Sequence, residues 1–179
     1  MNKKFLVIPV LLLTFVFISI PVMAAPAKKI EGVTMTRITP AVRKVHPGYP
    51  RYVGNGIGHS KGNSTFTVRL TIPGLGPMGS DLILEGARHG EWISNSMWKN
   101  APDPDPEARA VITASVVITF TGTGTTGTFV GRVYRTITGF PFPSEITVMY
   151  TRIVLHGTGD FRGQTVKLID GEGYAIIPK

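Results

Sequence analysis

The residues able to act on a substrate are few and scattered. His89-Gly90-Glu91 is a His-x-Glu pair, and on one strand its two side chains would share a face, as metal ligands must. The other imidazoles, His46, His59 and His156, offer no second His-x-His or His-x-x-x-His spacing, so a metal site would have to be assembled from distant segments and none is assigned. Glu85 and Glu91 could serve as acid and base in glycoside chemistry, but two carboxylates at this spacing occur in any chain of this size. No Gly-x-Ser-x-Gly elbow is present to activate a serine. The chain has no cysteine, which excludes a thiol nucleophile, a CxxC redox pair and a cysteine zinc site. No catalytic residue and no cofactor is therefore assigned, and whether the protein is an enzyme stays open, with the balance against it. Trp92 and Trp98 could line a sugar-binding or apolar pocket, although aromatic residues near strand ends commonly belong to the core.

The N-terminus specifies a destination. Lys3 and Lys4 form a positive start, an apolar run from 5 to 20 follows, and Pro21 breaks it. Val22-Met23-Ala24 then supplies small side chains where a signal peptidase reads, so residues 1–24 are expected to be a secretory signal with the cut after Ala24. Ala25-Pro26-Ala27 is the second-choice site, although a cut after Ala25 is disfavoured by Pro26, and an uncleaved membrane anchor is the alternative. A lipid anchor on cysteine is excluded. The protein is expected to be secreted, periplasmic or on the cell surface, and the remaining chain, about 155 residues, is enough for one domain.

Charge is unevenly distributed. Of the formal +8, the excess outside the leader lies in 25–61, where Lys28, Lys29, Arg37, Arg43, Lys44, Arg51 and Lys61 face only Glu31. From 62 to 179 basic and acidic residues balance. Aromatics interleave with the charge in His46-Pro47-Gly48-Tyr49-Pro50-Arg51-Tyr52, a pattern suited to polyanions. Export argues against nucleic acid, so an acidic polysaccharide or an anionic membrane surface is the partner class, with Arg43, Lys44 and Arg51 as its contacts. The alternative is a solvated segment with no partner. Asn63-Ser64-Thr65 is a glycosylation sequon wherever the host uses such sites.

The elements that must position these residues read as strands nearly throughout. From 65 to 72, Phe66, Val68, Leu70 and Ile72 alternate with Thr65, Thr67, Arg69 and Thr71, as a half-buried strand requires. Stretches 81–85 and 91–94 read as two strands joined through a turn or bulge at 86–90, where two glycines permit it. Residues 111–121 are rich in β-branched types with Ile112, Ala114, Val116, Ile118 and Phe120 on one face, and 129–138 answers them across the glycine- and threonine-rich hairpin at 122–127. Further strands are expected at 146–156, 166–170 and 174–177, with weaker patterns at 32–38 and 52–57. The segment from Pro102 to Glu107 reads as a stiff acidic loop, and 106–110 as the place for a single helical turn. Eight or nine short strands in one domain need closure, so the expected fold is all-β, a single antiparallel β-barrel of about eight strands. A two-sheet β-sandwich is the alternative. Residues 25–61 would add one or two strands, and 62–179 the rest of the barrel.

Gly157-Thr158-Gly159-Asp160-Phe161-Arg162-Gly163 resembles the Gly-Thr-Gly-x-Phe-x-Gly segment before a late strand in the dirigent and allene oxide cyclase-like secreted β-barrels. His156 stands where a further glycine is usual there, and Gln164-Thr165-Val166-Lys167 replaces the alanine and glycine that often follow. The resemblance implies a barrel. It carries over no catalytic residue. Locally, Gly157 and Gly159 can take positive φ, and Phe161 can plug a barrel end.

Three functions fit these features. The first is a non-enzymatic barrel that binds a small apolar or amphipathic molecule in its interior or at its mouth, lined by Phe66, Val68, Leu70, Ile112, Val116 and Ile118. The second is a structural or adhesive envelope protein acting through 28–61. The third is a cyclase- or isomerase-like barrel, which requires convergent ionisable groups inside. Arg69, Arg132, Tyr134, Arg135, Tyr150 and Arg152 bear on that choice, because alternation sets relative and not absolute facing. The oligomeric state is not specified by the sequence.

Overall fold

The computed structural model describes residues 26–52, 54, 56–99, 103–122, 125–140 and 147–178. The expected leader and most of the 141–147 connection lie outside them. Ten strands follow in order: β1 (Lys28–Arg37), β2 (Val42–Val45), β3 (Arg51–Tyr52), β4 (Ile57–Ile72), β5 (Leu82–Met97), β6 (Asp105–Gly122), β7 (Thr125–Phe140), β8 (Val148–Gly159), β9 (Thr165–Ile169) and β10 (Glu172–Ile177). They form one antiparallel sheet in the order β1-β10-β9-β8-β7-β6-β5-β4, and β1 pairs again with β4. Hydrogen bonds thus close a ring through eight strands, a barrel-like and not a two-sheet arrangement.

The ring is uneven because its strands differ in length. β4 to β7 run 16 to 18 residues, whereas β9 has 5 and β10 has 6. The long strands project beyond the short ones as a curved wall. β1, β2 and β3 succeed one another along the edge of β4, pairing with its Val68–Thr71 stretch, its 62–65 stretch and then Gly58 and His59. Residues 25–61 therefore carry three strands and the start of a fourth, more than the one or two read from sequence.

Several strands differ from their sequence reading: β3 ends at Tyr52 and β4 begins at Ile57, so the stretch read as one strand over 52–57, of which 53 and 55 lie outside the described residues, is divided between them. No turn separates 81–85 from 91–94, since β5 is continuous and Gly86 stands in register between Val68 and Phe120. The glycines serve close approach instead: a Cβ at Gly90 would lie 1.9 Å from the Ser115 carbonyl oxygen, and one at Gly131, opposite Val116, 1.9 Å from that of Val154. Only glycine lets the sheet curl that tightly. The helical turn expected at 106–110 is also absent. β6 already begins at Asp105, with a register irregularity before Arg109 and the Glu107 N–H donating to Asp105 Oδ1 at 2.9 Å. Backbone pairing with β7 outweighs the local preference of the proline-rich stretch.

The interior of the closed section is a packed core. The faces read from alternation hold: Val68, Leu70 and Ile72 on β4 and Val116, Ile118 and Phe120 on β6 all point inward and are buried. Phe161, from the turn after β8, closes one end. Its ring stacks on Phe129 with centroids 5.0 Å apart and meets Phe120 edge-on at 6.1 Å. The Gly-Thr-Gly segment is architectural here, because a Cβ at Gly157 would lie 2.0 Å from the Phe161 carbonyl oxygen.

Candidate functional site

Of the six side chains expected to line a ligand cavity, Val68, Leu70, Val116 and Ile118 expose 0–1% of their surface. A side chain beside a water-sized void would keep accessible area, so no guest fits between these four. Phe66 and Ile112 differ. Both are only partly buried, and they lie toward the other end of the ring, where the long strands rise past the β9–β10 turn.

That end is the mouth. Its inner face is built by the alternation that fills the core, carried one or two residues further along each strand. On β5, Arg88 follows Leu84 and Gly86 inward, opposite Phe66 on β4 and Ile118 on β6. Trp92 follows, flanked by Gly62 and Ala114, small residues that leave room for its indole. On β7, Arg135 is in phase with Phe129 and Val133, opposite Ile112 and Thr151. On the rim, Arg37 pairs with Val68 and Arg43 with Ser64, so their side chains share the inner side.

Four guanidinium groups thus converge from β1, β2, β5 and β7. The Arg88 guanidinium carbon sits 4.4 Å from the centre of the Phe66 ring. Burial, and then the charges of Arg135 and Arg43, pull the Arg88 pKa down to about 10. Arg135 is lowered too, by burial first and then by Arg43 and Arg37, with Asp170 opposing. Both remain cations at neutral pH. Arg135 Nε donates to Thr151 Oγ1 at 3.0 Å. Thr151 in turn donates its N–H to Asp170 Oδ1 at 2.6 Å and accepts the Asp170 N–H at 2.7 Å, which docks the β9–β10 turn against the mouth. Among the described residues the ion pairs are Lys29–Glu31, Lys61–Glu91 and Arg69–Glu85, none of which involves the four arginines. Two buried donors there, Arg88 Nε and Trp92 Nε1, have no hydrogen-bond partner among the described residues.

The other candidates lie elsewhere. His89 and Glu91 do share a face, but it is the outer one: His89 Nδ1 meets the Thr65 hydroxyl at 3.2 Å and Glu91 pairs with Lys61 at 2.9 Å. Glu85 is also outside, accepting from Arg69 Nε at 2.7 Å. Arg132, Arg152, Tyr134 and Tyr150 face solvent. The basic trio is divided: Arg43 turns to the mouth, Lys44 to the opposite face, and Arg51 folds back, donating to the Gly48 carbonyl at 3.1 Å with its guanidinium 5.0 Å from the Tyr49 ring centre. Trp98 donates to the Asp103 carbonyl at 3.0 Å, away from Trp92. A cleft of about 340 Å³ at the outer ends of β5 and β6 is lined by Lys99, Arg109, Asp105 and Glu107, whose charges offset one another.

Arg88 and Arg135 were not singled out from sequence as a site. Arg135 had a usable signal, since it keeps the inward phase of Phe129, Val133 and Ile137. Arg88 had none while 86–90 read as a turn. No protein-family model, curated protein or solved structure matches this chain.

Proposed function

We propose that this is an exported, non-enzymatic barrel that binds a small amphipathic molecule at its mouth. The observation carrying the reading is the partly exposed apolar surface of Phe66, Trp92 and Ile112 lying on one inner face beside the Arg88 and Arg135 guanidinium groups. A ligand that offers both an apolar body and an acceptor covers the first and pairs with the second. The packed core directs the ligand to the mouth and not between the strands. Binding rather than catalysis fits the ionisable groups that converge there, because guanidinium groups stay protonated at neutral pH and neither take nor give a proton. The reading of 28–61 as an anionic-surface contact is weakened by the alternation of β2, which sends Arg43 and Lys44 to opposite faces.

The test uses Trp98→Phe, which leaves Trp92 as the sole tryptophan reporter. Titration with octanol, octanoate and octyl phosphate should change its emission saturably with at least one of them. The same compound should raise the melting temperature, since a ligand of the folded state stabilises by mass action. No saturable change and no thermal shift with any of the three would remove the binding reading.

A further inference from the structure

We propose that the mouth selects an oxyanion head group, a carboxylate or a phosphate ester, held by Arg88 and Arg135 with Arg43 and Arg37 closing the cradle. The inference rests on the binding reading above and adds the chemistry of the ligand. Four cations from four strands share one inner surface, and the described ion pairs all lie elsewhere. Like charges gathered at a partly desolvated site oppose one another, and an anion placed between them reverses the sign of that interaction. A guanidinium presents a planar fork of donors matched to two oxygens of a carboxylate or phosphate. Two of the forks are already held. Arg88 is fixed against the Phe66 ring and Arg135 by Thr151, so little side-chain freedom is lost when an oxyanion arrives.

The surroundings define the rest of the ligand. Phe66, Trp92 and Ile112 flank the cradle with apolar surface, and Ala114 and Val133 lie in the same row as Trp92. An anion with an apolar tail satisfies both parts of the site. A bare anion satisfies one.

Calorimetric titration with octyl phosphate, octanoate, octanol and inorganic phosphate separates the outcomes. The two amphipathic anions should bind at least about tenfold more tightly than octanol or inorganic phosphate. Raising salt from low to physiological strength should weaken the anions and leave octanol unchanged. Arg88→Met should abolish the preference for the anions over octanol while keeping a cooperative melt. Arg43→Gln, at an exposed strand position, should weaken octyl phosphate several-fold and provides the same readout should Arg88→Met fail to fold. Octanol binding as tightly as octanoate and octyl phosphate overturns the anion selection and leaves the mouth as a binding site. Inorganic phosphate binding as tightly as octyl phosphate leaves the arginine cradle and overturns the amphipathic reading. No binding by any of the four overturns both.

Discussion

Arg88 stacks its guanidinium on Phe66, its cross-strand partner, at 4.4 Å from the ring centre, and this contact holds a cation against the top of an apolar core. The aromatic face recovers part of the hydration the charge has lost, about 0.5–2 kcal/mol for such a contact. The neighbouring Arg135 and Arg43 charges work against it.

Replacing that cation should stabilise the fold. Arg88→Met keeps the length and the contact with Phe66 and removes a desolvated like charge, so unfolding free energy in urea at pH 7 should rise by about 1 kcal/mol. The pH dependence has a definite sign. A base whose pKa is depressed on folding is less protonated in the folded than in the unfolded state above about pH 10, so wild-type stability from this group rises with pH there and its penalty is complete below. The gap between Arg88→Met and wild type should therefore narrow as pH passes 10. A gap that widens would contradict the placement of Arg88.

Phe161 carries the closed end of the barrel. Phe161→Ala removes a ring stacked on Phe129 and edge-on to Phe120, with both partners buried, and should cost about 3–5 kcal/mol by urea denaturation. Phe161→Leu should cost clearly less. Equal, small losses for both would show that the ring does not seal the end.

Gly131 is required by backbone proximity and not by its own dihedral angles. Its added Cβ would meet the Val154 carbonyl at 1.9 Å, which a strand can relieve only by shifting, so Gly131→Ala should destabilise by about 2–3 kcal/mol. An unchanged denaturation midpoint would mean that β7 and β8 lie farther apart than described.

The ring depends on β1, which bridges β10 and β4 and buries Val33 completely. A cut after Ala24 would leave this strand intact, and the intact mass of protein recovered from outside the cytoplasm should place its N-terminus at Ala25. Deleting residues 25–37 opens the ring and should abolish the cooperative unfolding transition. A mature species that retains residues 1–23, or a cooperative melt without β1, would refute the corresponding expectation.

Charge reversal on β2 separates its two faces. Arg43→Glu should reduce binding of octyl phosphate, and Lys44→Glu should leave it unchanged within about twofold, because the two side chains project to opposite sides. Retention on an acidic polysaccharide that falls with Lys44→Glu alone would instead support the outer face as a docking surface.

Local pattern in the sequence determined the strand faces and the need for closure. Phe66, Val68, Leu70 and Ile72 alternate with polar residues, and so do Ile112 to Phe120, because a pleated strand with one wet face leaves no other arrangement. Strand ends were less legible. Gly86 and Gly90 look like punctuation in isolation, yet β5 passes through both, since hydrogen bonds from two neighbouring strands hold it extended and the missing side chains make room for the curl. The proline-rich start of β6 is extended for a different reason, its pairing with β7 at Asp105 and again from Arg109 on. The mouth was decided by the tertiary structure alone. Arg37 and Arg43, Arg88, and Arg135 come from three separate parts of the chain, and they face one end only because ring closure and the pairing register bring four inward positions there. Alternation along one strand says which side a residue takes relative to its neighbours; which inward residues share a level is set by pairing between strands, and that is a property of the closed sheet.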